Sequence, residues 1–352
     1  MARGAVLLGT GGGGDPYIGE LFVRAKIEAG RMPTIIDPDE LPDDAFVVAI
    51  AGIGAPTVII EHLVSEVTLL RVLARAEALY GRPIDAIVSA EIGGANSMFP
   101  LALSAISGIP VVDADGIGRA VPHLEMTCFS IDGIAATPAI LMDDSGNSVV
   151  IEAASDKMAE ELCRVVTGAM GAVAFGSFYP MSGGQLKRCG VLRTLTQTRD
   201  IGRSIRLART AGRDVFADLI EVLERRDGRP ARVLFDGRIV DVMRETRDGW
   251  HWGRVTLHEL TDAGQVFTVD IQNEFIAARR NDETVAIVPD LIAILDRETG
   301  EPLTGEMLAY GQRVKVIGYA ADAKLRQPES LNVLGPLAFG LDEPFIAIED
   351  RA

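Results

Sequence analysis

The sequence predicts an α/β protein in two parts: an N-terminal three-layer α/β domain with a mostly parallel sheet over residues 1–167, then a β-rich, barrel-like domain with a few leading helices over residues 168–352. Three observations predict it. Short apolar runs alternate with amphipathic stretches from residue 5 to about 152, which is the signature of a parallel sheet covered on both faces by helices. From residue 231 onward short strands separated by turn signals dominate. Finally, 352 residues exceed what one ordinary core accommodates.

Taken in order, "AVLLGT" reads as a strand and "YIGELFVRAKIEAG" as a helix stopped by Gly30. "TIID" and "FVVAIAGIG" read as strands. The stretch "VIIEHLVSEVTLLRVLARAEAL" has apolar residues three and four apart and reads as a long helix containing His62. "DAIVSAEIGG" is a strand, "NSMFPLALSAIS" a helix and "PVVDADG" a strand. "MTCFSIDG", "AILMDD" and "SVVIEA" follow at hairpin spacing and predict an antiparallel addition to the sheet; "DKMAEELCRVVTGAMG" closes the domain as a helix. The second domain opens with "QLKRCGVLRTLTQTRDIGRSIRLARTAG" and "DVFADLIEVLERRDG" as helices. Its strands are "ARVLFDGRIVDVMRET", "HWGRVTLHEL", "QVFTVDIQNEFIAAR", "TVAIVPDLIAILD" and "QRVKVIGYA".

Composition narrows the function classes. Hydrophobic residues make up 48% and charged residues 24%, as in soluble globular proteins. No run of eighteen apolar residues predicts a membrane span, and "MARGAVLLGTGGGGDP" lacks the long apolar region of a signal peptide, so a cytoplasmic location is expected. A net charge of −16 argues against nucleic-acid or membrane partners. Cys128, Cys163 and Cys189 are odd in number and widely spaced, so they form no disulfide framework or metal clip. Cys128 reads as a buried strand residue and Cys163 as core-facing. Cys189 follows Lys187 and Arg188, cations that can lower a thiol pKa and favour a nucleophile, yet free thiols are more often inert.

The run "GTGGGGDP" places Gly11, Gly12, Gly13 and Gly14 between an expected strand and an expected helix. Glycines there let backbone approach a ligand closely. No Gly-Lys-Ser/Thr follows, which excludes the Walker pattern, and G-x-G-x-x-G is nearly uninformative inside a glycine run. Asp37 or Asp39 would supply the ribose-binding acid of a nucleotide reading; Asp15 and Pro16 suit a helix start. A turn lining a small-ligand cleft is the favoured reading, a purely structural turn comes second, and nucleotide binding is the remaining alternative. "AGIGAP", "EIGGANS" and "DADGIGRA" fall at equivalent strand ends, so a ligand site is expected along that rim.

"VVDADGIGRAVPHLEMTCF" is the stretch richest in chemistry. Asp113 and Asp115 are two apart and share a face if the strand continues. Paired carboxylates divide acid and base roles or bind a divalent metal. An Asp-Gly turn capped by Asp115 and neutralised by Arg119 is the bland alternative. Glu91 is a rival base, Asn96 lies in the neighbouring glycine loop, and Arg119 suits an anionic group. Lys187 and Thr194, after a glycine turn, could face the cleft. His123 and Glu125 are two apart. His251 and His258 have strand character, and no histidine spacing signals a metal, so a cofactor is not specified.

"GTGGGGDP", "EIGGANSMFPL", "VVDADGIGRAVPHLEMT" and "QNEFIAARRNDETVAIVPDLIAILDRETGEPLTGEMLAYGQRVKVIG" together resemble the family once catalogued as a domain of unknown function (DUF917) and now named for S-methyl thiohydantoin desulfurase. The resemblance covers nearly the whole chain, in order. It implies a hydrolase that replaces the S-methyl group of a five-membered ring by water, giving a hydantoin and methanethiol. It also implies hydantoinase- or oxoprolinase-type partner proteins; a non-catalytic partner of such an enzyme is the second reading. A homo-oligomer is expected. Asp113, Asp115 and Glu91 would supply acid and base, Arg119 the anion grip, and Gly11 to Gly14 the carbonyl contacts. Asn273, Glu274 and Asp290 of the second domain would close the cleft. One departure is that the family pattern reads Pro-Glu-Leu where this chain has Pro122-His123-Leu124.

Overall fold

A computed structural model describes residues 1–54, 65–247, 250–262 and 264–351. The chain divides into two compact units, one formed by Gly14–Thr196 and the other by Met1–Gly13 together with Gln197–Ala352.

The Gly14–Thr196 unit is built on a mixed sheet of eight strands: β1 (Ile35–Ile36), β2 (Phe46–Gly54), β3 (Ala86–Ser89), β4 (Val111–Asp115), β5 (Ala139–Met142), β6 (Ser148–Ile151), β7 (Val173–Ser182) and β8 (Val191–Leu192). Their order is β1-β4-β3-β2-β7-β5-β6, and β8 pairs with the last two residues of β4, Ala114 and Asp115. β1, β4, β3 and β2 run parallel; β7, β5, β6 and β8 pair antiparallel. Every residue of β3 and β4 is buried, as a strand covered on both faces requires. Helices Tyr17–Glu28, Glu66–Tyr80, Met98–Ser107 and Asp156–Ala169 accompany the sheet. Their ends are marked locally. Ser65 Oγ accepts from Thr68 N–H (3.0 Å) and Ser155 Oγ from Met158 N–H (3.3 Å), two N-terminal caps.

Three sequence expectations change here. "MTCFSIDG" is no strand: Leu124–Met126 forms a 3-10 turn and Cys128–Ile131 a short helix, with the Thr127 hydroxyl accepting from Ser130 N–H. The stretch "VAFGSFYPMS", not read as a strand, is β7, between β2 and β5 at the middle of the sheet. The unit therefore continues to Thr196, beyond the expected boundary at 167. The long helix is described only from Glu66; its expected start, with His62, lies outside the described residues.

The other unit holds an antiparallel sheet of eight strands: β9 (Ala231–Arg247), β10 (Trp250–Glu259), β11 (Val266–Gln272), β12 (Glu274–Arg280), β13 (Glu283–Ile287), β14 (Leu291–Asp296), β15 (Pro302–Leu303) and β16 (Arg313–Tyr319). The order is β13-β12-β11-β10-β9-β16-β14-β15. Its core gathers Ile239, Val255, Leu257, Phe267, Val269 and Ile294 from alternate strand positions. His258 pairs with Val266 across β10 and β11, and the side chain of His251 lies outside the described residues.

"AVLLGT" is not a strand of the parallel sheet. Ala2–Leu8 is a helix, and it packs on β14 and β15 of the second unit. Arg3 forms two bonds to Glu301 (2.5 and 2.6 Å), and a Cβ on Gly4 would stand 2.0 Å from the Thr198 carbonyl oxygen. Short apolar runs fit either element type, and here the helix is chosen by what it packs against.

Candidate functional site

The C-terminal ends of β2, β3 and β4 carry the candidate site, within the Gly14–Thr196 unit. Beyond β3 the chain turns through Ala90 and Glu91 into a 3-10 turn, Gly94–Ser97. Asn96 ties the turn to β2: its Oδ1 accepts from Gly52 N–H (2.8 Å), while its Nδ2 donates to the Gly52 carbonyl (3.3 Å) and to Glu91 Oε1 (2.8 Å). The other Glu91 oxygen accepts from Val121 N–H (3.0 Å). Glu91 keeps partial access to solvent. Burial nevertheless pushes its carboxyl up to about 7, with the Glu160 charge acting the same way and Arg119 opposing it.

Asp115 closes β4 and is fully buried. Its Oδ2 accepts from Ile92 N–H (2.9 Å), Ile117 N–H (3.1 Å) and Gly118 N–H (2.8 Å), so one oxygen knits the loops after β3 and β4 together. Among the described residues Oδ1 has no donor. The buried Thr194 hydroxyl lies near enough to favour the Asp115 anion, although its Oγ1 completes no hydrogen bond among the described residues. Burial outweighs the three N–H donors, and Asp115 is also held at about 7. Arg119 is buried as well, with Nε donating to the Ala120 carbonyl (3.0 Å).

Thus Glu91, Asn96, Asp115, Arg119 and Thr194 gather as the sequence suggested, whereas Asp113 and Lys187 serve other ends. Asp113 caps the helix Thr194–Ala211: Oδ1 accepts from Thr196 N–H (3.1 Å) and Oδ2 from the Thr196 hydroxyl (2.6 Å). Lys187 donates to the Leu41 carbonyl (3.0 Å) and pairs with Asp43, residues that precede β2 and so lie away from its C-terminal end. Asp37 and Asp39, the ribose-binding candidates, are both taken by Arg193, at 2.8 and 2.7 Å. Asp15 accepts from Tyr17 N–H (2.8 Å) at the start of its helix. The two acids that a nucleotide reading would use are thus engaged by Arg193.

The glycine run is a turn of the other unit as far as Gly13; Gly14 begins the first unit. Thr10 C=O accepts from Phe275 N–H (2.6 Å) and Gly11 C=O from Gly305 N–H (2.8 Å). At Gly11, φ is +87° and a Cβ would lie 2.5 Å from the Phe275 ring; at Gly12 it would lie 2.2 Å from Glu274 Oε1. Glycine is required by this close approach to β12. Asn273, in the left-handed region at φ 58°, turns β11 into β12, and Glu274 is buried against Gly12. Asp290, expected beside a cleft, is instead a buried anchor accepting from Arg326, from Ala321 N–H and from Ile348 N–H.

All three cysteines are buried, and Cys189 Sγ donates to the Gln185 carbonyl. Among the described residues no group of three His, Cys, Asp or Glu side chains could hold a metal ion. Both Asp113 oxygens and one Asp115 oxygen are already occupied by donors of the fold.

Sequence reading missed the residues behind the loop after β4. Glu160 Oε2 accepts from Leu124 N–H (3.1 Å), Arg164 donates to the Pro122 carbonyl (2.7 Å), and the Tyr179 hydroxyl donates to the Leu124 carbonyl (2.6 Å). A charged Glu160 in a helix signals a solvated face by default; only its position opposite the loop buries it. His123, in the same loop, stands with Nδ1 3.7 Å from Glu125 Oε1. Burial, with Arg164 and Lys157 nearby, lowers its pKa to about 4.

The fold and site define a two-unit α/β protein, with buried acids at the ends of parallel strands in one unit and an antiparallel sheet in the other. Residues 1–153 match the S-Me-THD-like N-terminal domain and residues 154–348 the S-Me-THD-like C-terminal domain. The chain belongs to the S-Me-THD-like family. A crystal structure of a protein from Chromobacterium violaceum is similar over 99% of this chain and 96% of its own, with a TM-score of 0.82 and 25% identity. No curated protein matches the sequence. Among the described residues no helix is long and apolar enough to cross a membrane.

Proposed function

We propose that the chain is a hydrolase of S-methyl thiohydantoin-type rings, with Glu91 as the acid–base group. The reading rests on one observation. Glu91 and Asp115 follow adjacent parallel strands and are both held at about 7, while Glu91 alone of the two retains access to solvent. A carboxyl near neutrality both takes and returns a proton, which is what thioimidate hydrolysis needs. Membership of the S-Me-THD-like family supports this choice of substrate class.

In this reading water adds to the ring carbon between the two nitrogens, and the C–S bond breaks. One water proton ends on the ring nitrogen, and the other passes through Glu91 to the departing methanethiolate, giving the hydantoin and methanethiol. Asn96 and Val121 N–H fix the two Glu91 oxygens, Asp115 holds the Ile92 backbone beside them, and Arg119 supplies positive charge.

Methanethiol release from an S-methyl thiohydantoin by the purified chain tests the assignment. Glu91→Gln should lower kcat by about 100-fold or more. Asp113→Asn, which alters the helix cap, should retain most of the rate. An active Glu91→Gln protein, or no release by the wild type, would sink the proposal.

A further inference from the structure

The segment Val121–Leu124 is held by side chains from three directions, with Glu160 and Tyr179 buried and Glu91 and Arg164 partly so. Glu91 takes its first N–H, Arg164 its Pro122 carbonyl, Glu160 the Leu124 N–H and Tyr179 the Leu124 carbonyl. The Thr127 hydroxyl adds a second donor to that carbonyl (3.2 Å). Arg164 and Glu160, four apart on the helix Asp156–Ala169, are themselves an ion pair at 2.5 Å, with Glu160 almost fully buried.

The third direction is the more telling. Tyr179 lies in the middle of β7, fully buried, with φ +47°. A tyrosine in the left-handed region is strained, and such strain persists only where the surroundings impose it. The β2–β7 register slips at this point, between the pairs Val47–Met181 and Ala49–Phe178. The bulge accompanies the redirection of one side chain, and its hydroxyl ends on Leu124.

We propose that Glu160 and Tyr179 are positioning residues that hold the Glu91 carboxyl in its working place through the segment Val121–Leu124. The inference rests on the role given to Glu91 above. The two carboxylates hold opposite ends of one short segment, and Glu91 feels the charge of Glu160. Glu91 faces Glu160 and Arg119; Glu160 faces Arg164 and Glu125; Tyr179 faces Thr127, Asp156, Glu125 and Glu160. Removing the Glu160 charge makes Glu91 easier to ionise. Removing the Tyr179 hydroxyl takes one of the donors from the Leu124 carbonyl, loosens the segment and weakens the Val121 N–H bond that favours the Glu91 anion, with the opposite sign.

The test is a carbon-13 NMR titration of the Glu91 carboxyl in the full chain, assigned by its disappearance in Glu91→Gln. Glu160→Gln, which preserves shape and an acceptor, should lower the midpoint by about one pH unit. Tyr179→Phe should raise it. Tyr80→Phe is the control: it loses another tyrosine-to-carbonyl bond in the same unit, to Pro138, and should reduce stability without moving Glu91. Folded Glu160→Gln and Tyr179→Phe proteins with wild-type midpoints would overturn the proposal. If Glu160→Gln fails to fold, Tyr179→Phe decides alone. The titration needs no substrate, so absent methanethiol release would sink the hydrolase reading while leaving this result standing, and unmoved midpoints would do the reverse.

Discussion

Asp115 illustrates how one carboxyl can serve the fold and oppose it. Its three N–H donors favour the anion, but complete burial wins and holds the group at about 7. The native state therefore keeps a proton that the unfolded chain has released. The stability this contributes is complete below about pH 4 and is lost as pH rises through 7. Asparagine keeps an acceptor and cannot ionise, so the melting temperature of Asp115→Asn should gain on wild type between about pH 4 and pH 8. His123, lowered to about 4, works with the opposite sign: its contribution is absent below that value and grows as pH rises towards 6.5. Only the difference between variant and wild-type curves isolates Asp115, and a difference flat with pH would refute the account. At this scale the sequence was informative where partners are near in the chain, as with Glu91 and Asn96. It was silent where they are distant: period two puts Asp113 beside Asp115, but Asp113 is engaged by Thr196, 83 residues on.

Among the elements, the helix Ala2–Leu8 shows why local pattern and final structure parted. Four apolar residues ahead of a glycine fit a strand or a helix equally well. The helix is selected by a crossing at Gly4, where only the missing side chain lets the Thr198 backbone approach. Gly4→Ala sets two effects in opposition. Better helix propensity favours alanine by about 1 kcal/mol. Overpacking a rigid contact costs about 1–3 kcal/mol, and the added Cβ would meet backbone atoms at 2.0 and 2.6 Å. The clash should win, so calorimetry should show Gly4→Ala melting several degrees lower; an unchanged or higher midpoint would show that the helices move apart freely. β7 was illegible for another reason. Gly176 and Pro180 interrupt its apolar run and read as turn signals, while the strand itself is defined by pairing with β2 and β5.

For the whole molecule, alternation gave the two-part architecture and its order correctly, while the boundary depended on contacts with no local trace. The first thirteen residues belong with the last half of the chain, and the strand that completes the first sheet follows the helix expected to close it. Deleting residues 1–13 should consequently lower the unfolding transition of the antiparallel unit and leave that of Gly14–Thr196 in place. Differential scanning calorimetry with fragment-specific hydrogen exchange reads the two separately, and a loss confined to the Gly14–Thr196 unit would contradict the assignment.

That returning N-terminus bears on how the protein is made. Thr10 and Gly11 emerge from the ribosome early, but the backbone groups that receive them, at Phe275 and Gly305, come some 260 to 300 residues later. At roughly 5–20 residues per second this is a wait on the order of 15–60 s. Throughout it "AVLL" is an apolar segment without the strands it packs on, while everything from Gly14 to Thr196 is already available to fold. The order of synthesis and the order of completion are therefore opposed at this end of the chain. Slow translation of the final strands would prolong the exposure of Ala2–Leu8 before its partners on β14 and β15 exist.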